Sequence, residues 1–330
     1  MNEKGEKEYW RFIDNEWQLF TKIPLKDSYD TRFFNCNSPN NNAYLYDSRD
    51  RDNIAIKFLN LVNGKTELIA EDKKTDSYSF TSNPITNKVQ AVITNYDKPK
   101  YRIIDNAIKD DIKFLETLNL GELEIMHRTV DDKTWFVMFY SDTRPTKYYK
   151  YDRKNKKVQY LFTRYKALEQ YSLAPMNPII IKSRDGLDLV SYITLPNNIP
   201  LSNKIYPNNP VPLVLLVHDG PDQRDRWGMN TRHQWLANRS YAVLSVNFRG
   251  SEGFGKKFLS SGYGEWGQKM QDDLVDAVNW AIKNKIADPK KVAIMGTGYG
   301  GYAALAGLTF TPELFACGVD IAGPPNLATI

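Results

Sequence analysis

The sequence predicts a two-part chain: an all-β half resembling part of a β-propeller, then a doubly wound, mostly parallel α/β sheet. Three observations carry this. The first half is polar, rich in Asn, Lys, Tyr and Asp, with short strand-like runs broken by turn residues. A loose repeat recurs in it, with Lys57, Arg102 and Lys150 in equivalent places 45 and 48 residues apart. From about residue 178 onward, apolar strands alternate with helical patterns. The join falls in Ser172–Pro178, between Pro175 and Pro178, giving domains 1–172 and 178–330.

In the first half, Ile56-Lys57-Phe58-Leu59 leads through Asn63-Gly64-Lys65 to Leu68-Ile69. Tyr149-Lys150-Tyr151-Asp152 leads through Asn155-Lys156-Lys157 to Tyr160-Leu161-Phe162, and Tyr101 to Asp105 lies between. Periods of 40 to 50 residues with several short strands per unit are those of propeller blades. An irregular antiparallel β-domain with similarly spaced hairpins reads the same way. At this period the segment supplies roughly three and a half blades, so a ring that is short, open or missing N-terminal material is expected. An open edge invites association, whether as a homo-oligomer or with a complementing chain. Lys147, Lys150 and Arg153 are expected to face solvent from a strand whose tyrosines are buried.

In the second half, Asn177–Lys182 and Leu187–Leu195 flank Arg184-Asp185-Gly186, a hairpin with Asp-Gly as its turn signal. Val211–Val217 and Tyr241–Asn247 are apolar strands. Gln271–Ile286 carries apolar residues at Leu274, Val275, Val278, Ala281 and Ile282, an amphipathic helix. Asp272 and Asp273 open it as partners of its N-terminal dipole rather than as metal ligands. Lys291–Met295 is a third strand, Tyr302–Leu308 a small-residue helix, and Phe315–Ile321 a fourth strand. In such sheets ligands sit at the C-terminal strand ends. His218, Phe248-Arg249 and the glycines from Gly296 to Gly301 all fall there.

Composition narrows the partners. Hydrophobic residues make up 42% and charged residues 25%, the balance of an ordinary globular protein. No apolar run approaches a membrane span. Met1 to Phe20 hold five acidic and three basic residues with no apolar core, so no secretory signal is visible. Two cysteines, Cys36 and Cys317, supply no disulfide framework, and a cytoplasmic location is expected. The 44 basic residues are interspersed with 39 acidic ones rather than concentrated in one stripe, which argues against nucleic acid.

Two motifs compete for Gly296-Thr297-Gly298-Tyr299-Gly300-Gly301. As G-x-G-x-x-G it uses Gly296, Gly298 and Gly301, with Asp320 on the next strand, and reads as a dinucleotide site. As the nucleophile elbow G-x-S-x-G it places position 298 at the tip of a strained strand-to-helix turn, with Gly296, Gly300 and Gly301 around it.

The surrounding segments decide. Leu215-Leu216-Val217-His218-Asp219-Gly220-Pro221, Trp235 to Val243, Asn247-Phe248-Arg249-Gly250-Ser251 and Gly253-Phe254-Gly255 follow in order. Gly264-Glu265-Trp266-Gly267, Asp272 to Ala277 and Ala287 to Ala293 then lead into the elbow. Over about residues 178 to 330 the chain resembles the prolyl-oligopeptidase family of serine peptidases, in its acylaminoacyl-peptidase and dipeptidyl-peptidase-like branch. The resemblance implies an α/β-hydrolase domain behind a β-propeller that limits access, with peptides as substrates and no cofactor or metal. It also implies an oxyanion hole made by the backbone N–H groups of Gly220 and Tyr299. His218 would orient its loop through a ring hydrogen bond, and Arg249 would brace loops through a carboxylate pair.

Two positions depart from the family pattern. Gly298 stands where the family has Ser in G-G-S-Y-G-G, and Asp219 stands in the family's H-G-G-P. The family's acid and histidine would lie beyond residue 330, while His127, His218 and His233 all precede the elbow, whose fold orders its triad Ser, acid, His. Acyl transfer needs a nucleophile, a base, an acid and an oxyanion hole. Only the last is in view. Thr297, one place before the tip, should point away from the site. A carboxylate at Asp219 about 5 Å from an oxyanion would repel it by on the order of 3 kcal/mol at a dielectric near 20; a solvent-facing turn residue is the plainer alternative. The expectation is an inactive, degenerate or fragmentary peptidase relative. The alternatives are a peptide-binding or assembly module complemented by another chain, and a dinucleotide-binding protein.

Overall fold

The computed structural model describes residues 1–37, 41–77, 79–203 and 205–326. A two-stranded ribbon, β1 (Lys7–Ile13) and β2 (Glu16–Ile23), is followed by a short helix α1 (Leu25–Ser28). Three antiparallel meanders come next. β3 (Arg32–Asn37), β4 (Asn42–Asp47), β5 (Ala55–Asn60) and β6 (Thr66–Ala70) form the first, and β7 (Ser79–Ser82), β8 (Val89–Asn95) and β9 (Pro99–Ile103) the second. After helix α2 (Lys109–Thr117), β10 (Glu122–Arg128), β11 (Thr134–Tyr140), β12 (Lys147–Asp152) and β13 (Lys157–Thr163) form the third.

These are the strand groups of a β-propeller, and the loose repeat is real in them. Lys57, Arg102 and Lys150 each lie in the third strand of their sheet. The expected outward face needs correction. Side chains alternate along a strand, so Lys147 shares a face with buried Tyr151, and of the three basic residues only Lys150 is exposed. Lys147 pairs with Glu169 at 2.8 Å. Arg153 lies over the Trp135 ring at 4.8 Å and bonds Asp111 at 2.8 Å.

The α/β part is one six-stranded sheet. β14 (Met176–Lys182) and β15 (Asp188–Thr194) form its antiparallel edge hairpin, closed by the Asp185-Gly186 turn. A small ribbon, β16 (Leu201–Asn203) with β17 (Tyr206–Pro207), precedes β18 (Val211–Val217). Then come α3 (Thr231–Ala237), β19 (Ala242–Val246), α4 (Lys256–Ser260), α5 (Lys269–Lys283), β20 (Ala287–Thr297), α6 (Tyr299–Phe310) and β21 (Cys317–Ile321). The sheet order is β14-β15-β19-β18-β20-β21, with β19, β18, β20 and β21 parallel. Strand parity explains the double winding. Leu213, Leu215 and Val217 pack into the core shared with α5 and α6 residues such as Leu274, Val278 and Ala303. Val214 and Leu216 point the other way, to Leu236 of α3. Chain order reverses at β18, so the loops after β18 and β20 open side by side at a switch point.

Packing divides the chain differently from the join expected at 172–178. One compact unit comprises residues 1–110, 130–132 and 253–257; the other holds 111–129, 133–252 and the residues from Phe258 on. Within the first, Phe34 stacks on Tyr46 at 4.3 Å and Phe80 at 4.4 Å, joining the first two meanders. Within the second, the third meander is tied to the six-stranded sheet by hydrogen bonds. Asp142 accepts from Met176 N at 2.9 Å through its carboxylate and from Gln234 Nε2 at 3.4 Å through its carbonyl, while Trp227 Nε1 donates to Met176 O at 2.8 Å and the Gln234 amide bridges Ala174 N and O. Buried polar groups must be paired, and here their partners come from both sides of the sequence join.

Candidate functional site

The site is built from two strand ends. β20 runs out at Gly296-Thr297, and Gly298 turns the chain into α6 with φ +56° and ψ −121°. A Cβ at Gly296 would lie 2.2 Å from Gly300 C and O, so the tightness of the bend excludes any side chain there. The turn from strand to helix is sharp, with a positive φ at Gly298. Its tip carries only hydrogen.

β18 delivers the second half of the site, His218-Asp219-Gly220-Pro221. The backbone N–H groups of Gly220 and Tyr299, 79 residues apart in the chain, are aimed at one point. That point is an oxygen of this protein. Both donate to Asp219 Oδ1, each at 2.8 Å. Asp219 is thus neither the free turn residue nor the distant repelling charge that the sequence offered as alternatives; its carboxylate accepts from both N–H groups that the resemblance implies as an oxyanion hole. The sequence could not show this, because it depends on the rotamer of one side chain between two strand ends.

His218 stacks flat on Phe248, with ring centroids 4.4 Å apart and planes at 9°. Its Nδ1 lies 2.8 Å from Asp219 O, a carbonyl that can only accept, so Nδ1 is the donor. Its Nε2 lies 3.0 Å from Ser251 Oγ. Burial holds the imidazole pKa below its ordinary value. Arg249 is almost fully buried and meets two carboxylates: Asp273 through Nε at 2.9 Å and Nη2 at 2.7 Å, and Asp185 through Nη1 at 2.9 Å and Nη2 at 2.8 Å. The guanidinium holds the Asp185 carboxyl well below the usual carboxylate range. In the sequence, Asp185 reads only as a turn residue and Asp273 only as a dipole partner. Neither position carries a signal that reveals its partner, since Arg249 is 64 residues from one and 24 from the other.

Tyr299 lies buried against Phe248, Trp266 and Tyr302, with centroids 5.6, 5.1 and 5.7 Å away. Burial pushes its phenol pKa up. Thr297 Oγ1 is buried without a hydrogen-bond partner among the described residues, so no base is poised to take its proton. Asp320 of β21 accepts from Gly323 N at 2.7 Å, and a Cβ at Gly301 would lie 2.1 Å from its Oδ1.

Residues 227–329 match the model of the prolyl oligopeptidase family. Over 320 residues the chain is 46% identical to "Dipeptidyl aminopeptidase BIII" of Pseudoxanthomonas mexicana, covering 97% of this chain and 46% of that protein. It is 33% identical to "Dipeptidyl peptidase family member 6" of Caenorhabditis elegans, covering 99% and 47%. Among solved structures, a puromycin-hydrolyzing peptidase of Mycobacterium tuberculosis superposes with a TM-score of 0.72 at 18% identity, covering 99% of this chain and 50% of that one. An acylaminoacyl peptidase of Pyrococcus horikoshii gives 0.64 at 18%, covering 98% and 48%. At such identities the structures speak for the fold: a β-propeller with an α/β hydrolase. The chain spans about half the length of the curated relatives it matches.

Proposed function

This chain belongs to the prolyl oligopeptidase family of serine peptidases, and from that premise we propose that it is a peptide-handling member in which residue 298 forms no acyl-enzyme. One observation carries the reading: the elbow is built, with its positive φ and its crowded flanking glycines, yet Gly298 offers nothing to attack a carbonyl. Nucleophilic acyl transfer starts with a bond from that position. Removing a triad member leaves roughly a thousandfold over the uncatalysed rate from binding and the oxyanion hole, below what routine assays register.

The relatives named as dipeptidyl and acylamino-acid-releasing enzymes suggest peptide N-termini, free or acylated, as the ligands. No helix among the described residues is long and apolar enough to cross a membrane. The exposed unpaired thiols of Cys36 and Cys317 favour a reducing, cytoplasmic setting. A dinucleotide reading of Gly296, Gly298 and Gly301 is less favoured, because the N-terminus of α6, where a pyrophosphate would sit, already receives a carboxylate.

The test is covalent labelling. The full chain, incubated with a fluorophosphonate beside an active serine peptidase, should show no added mass. An adduct mapped to the peptide holding residues 296–301 would overturn the reading.

A further inference from the structure

We propose that Asp219 is a built-in ligand of the oxyanion hole, and that Gly298 is the condition for its being there. The two departures from the family pattern are then one device rather than two losses. The argument is geometric. Asp219 Oδ1 takes both N–H donors of the hole, each at 2.8 Å, and one of them, Tyr299 N, opens a helix of 12 residues. Charge-assisted bonds at such a terminus favour an anion. A Cβ at residue 298 would lie 2.1 Å from Asp219 Oδ1, 2.5 Å from Cγ and 2.6 Å from Oδ2. At such distances the carboxylate must leave. Any residue other than glycine at 298 and the bound Asp219 carboxylate therefore exclude each other.

The bound carboxylate closes the hole to an incoming carbonyl oxygen by occupation, which is a stronger block than repulsion from a distance. It also means that restoring serine at 298 does not by itself restore the hole, because the new side chain and the old carboxylate claim one volume. The inference rests on the reading of Gly220 and Tyr299 as the hole's donors. It is tested apart from the labelling experiment, which concerns residue 298 alone.

The test is a double-mutant cycle on the full chain, read by urea unfolding. Gly298→Ala in the Asp219 background should lower the folding constant by about tenfold for its positive φ and by about a further tenfold or more for the two hydrogen bonds lost when the carboxylate is displaced. In the Asp219→Gly background only the first loss should remain. Equal losses in both backgrounds would overturn the proposal. Should Gly298→Ala fold in neither, amide hydrogen exchange on variants that keep Gly298 decides. Asp219→Gly should speed exchange at the Gly220 and Tyr299 amides by about tenfold or more, while Asp219→Asn, which keeps an acceptor oxygen, should leave them protected. Unchanged exchange at both amides in Asp219→Gly would overturn it.

Discussion

His233 is fully buried, its Nδ1 2.9 Å from Thr194 Oγ1 and its Nε2 2.9 Å from Ser245 Oγ. Two hydroxyls can satisfy a neutral ring but give no charge to balance a cation. Burial pushes its pKa from 6.5 down to about 3. The unfolded chain therefore takes up a proton before the native one does. Stability is whole above about pH 6.5 and falls by about 1.4 kcal/mol per unit as pH drops from there toward 3. Between pH 7 and pH 5 the loss from this residue should be about 2 kcal/mol, seen as a lower urea midpoint. His218, shifted the same way, adds in the same direction. His233→Gln should remove the share of His233 and flatten the profile; an unchanged pH dependence would show that the ring is not held neutral.

Helix α5 and the loop after β19 are joined at one ion cluster. Asp273 has no exposed surface and receives the Arg249 backbone N–H at 2.8 Å as well as its guanidinium. Its neighbour Asp272 meets Arg184 at 2.9 Å, half exposed. Removing Asp273 takes from buried Arg249 one of its two carboxylates and the acceptor of its backbone N–H, whereas a surface pair contributes little. Asp273→Ala should therefore cost about 3 kcal/mol, and Asp272→Ala about 0.5 kcal/mol or less, in chemical denaturation. Similar costs at both positions would contradict the assignment of Asp273 as the anchor. The two aspartates are adjacent on the helix, and the difference between them comes from which face the helix turns to Arg249.

Taken whole, the molecule places its two thiols on different sheets. Cys36 is exposed on β3 and Cys317 on β21, both unpaired. An aromatic disulfide reagent should modify both in the native protein without denaturant, released chromophore reporting two equivalents. One equivalent would mean that one strand is covered, and none that both are. β21 also presents Val319 and Ile321 partly to solvent, and exposed apolar strand residues favour association.

Much of the architecture was legible in the residues themselves. Period-two runs ending in Asn-Gly or Asp-Gly mark the hairpins, continuous apolar runs mark the buried parallel strands, and the crowded glycines from 296 to 301 mark the elbow. These signals are local, because side-chain alternation and permitted φ values depend on near neighbours. The lack of a side chain at 298 was equally plain, since glycine there needs no fold to interpret. Only the tertiary structure could decide where Asp219 points, which carboxylates Arg249 holds, and that the third meander packs with the six-stranded sheet. Those outcomes turn on distances between residues far apart in the chain. In a close-packed interior a side chain goes where the neighbouring strand ends leave it both room and hydrogen-bond donors.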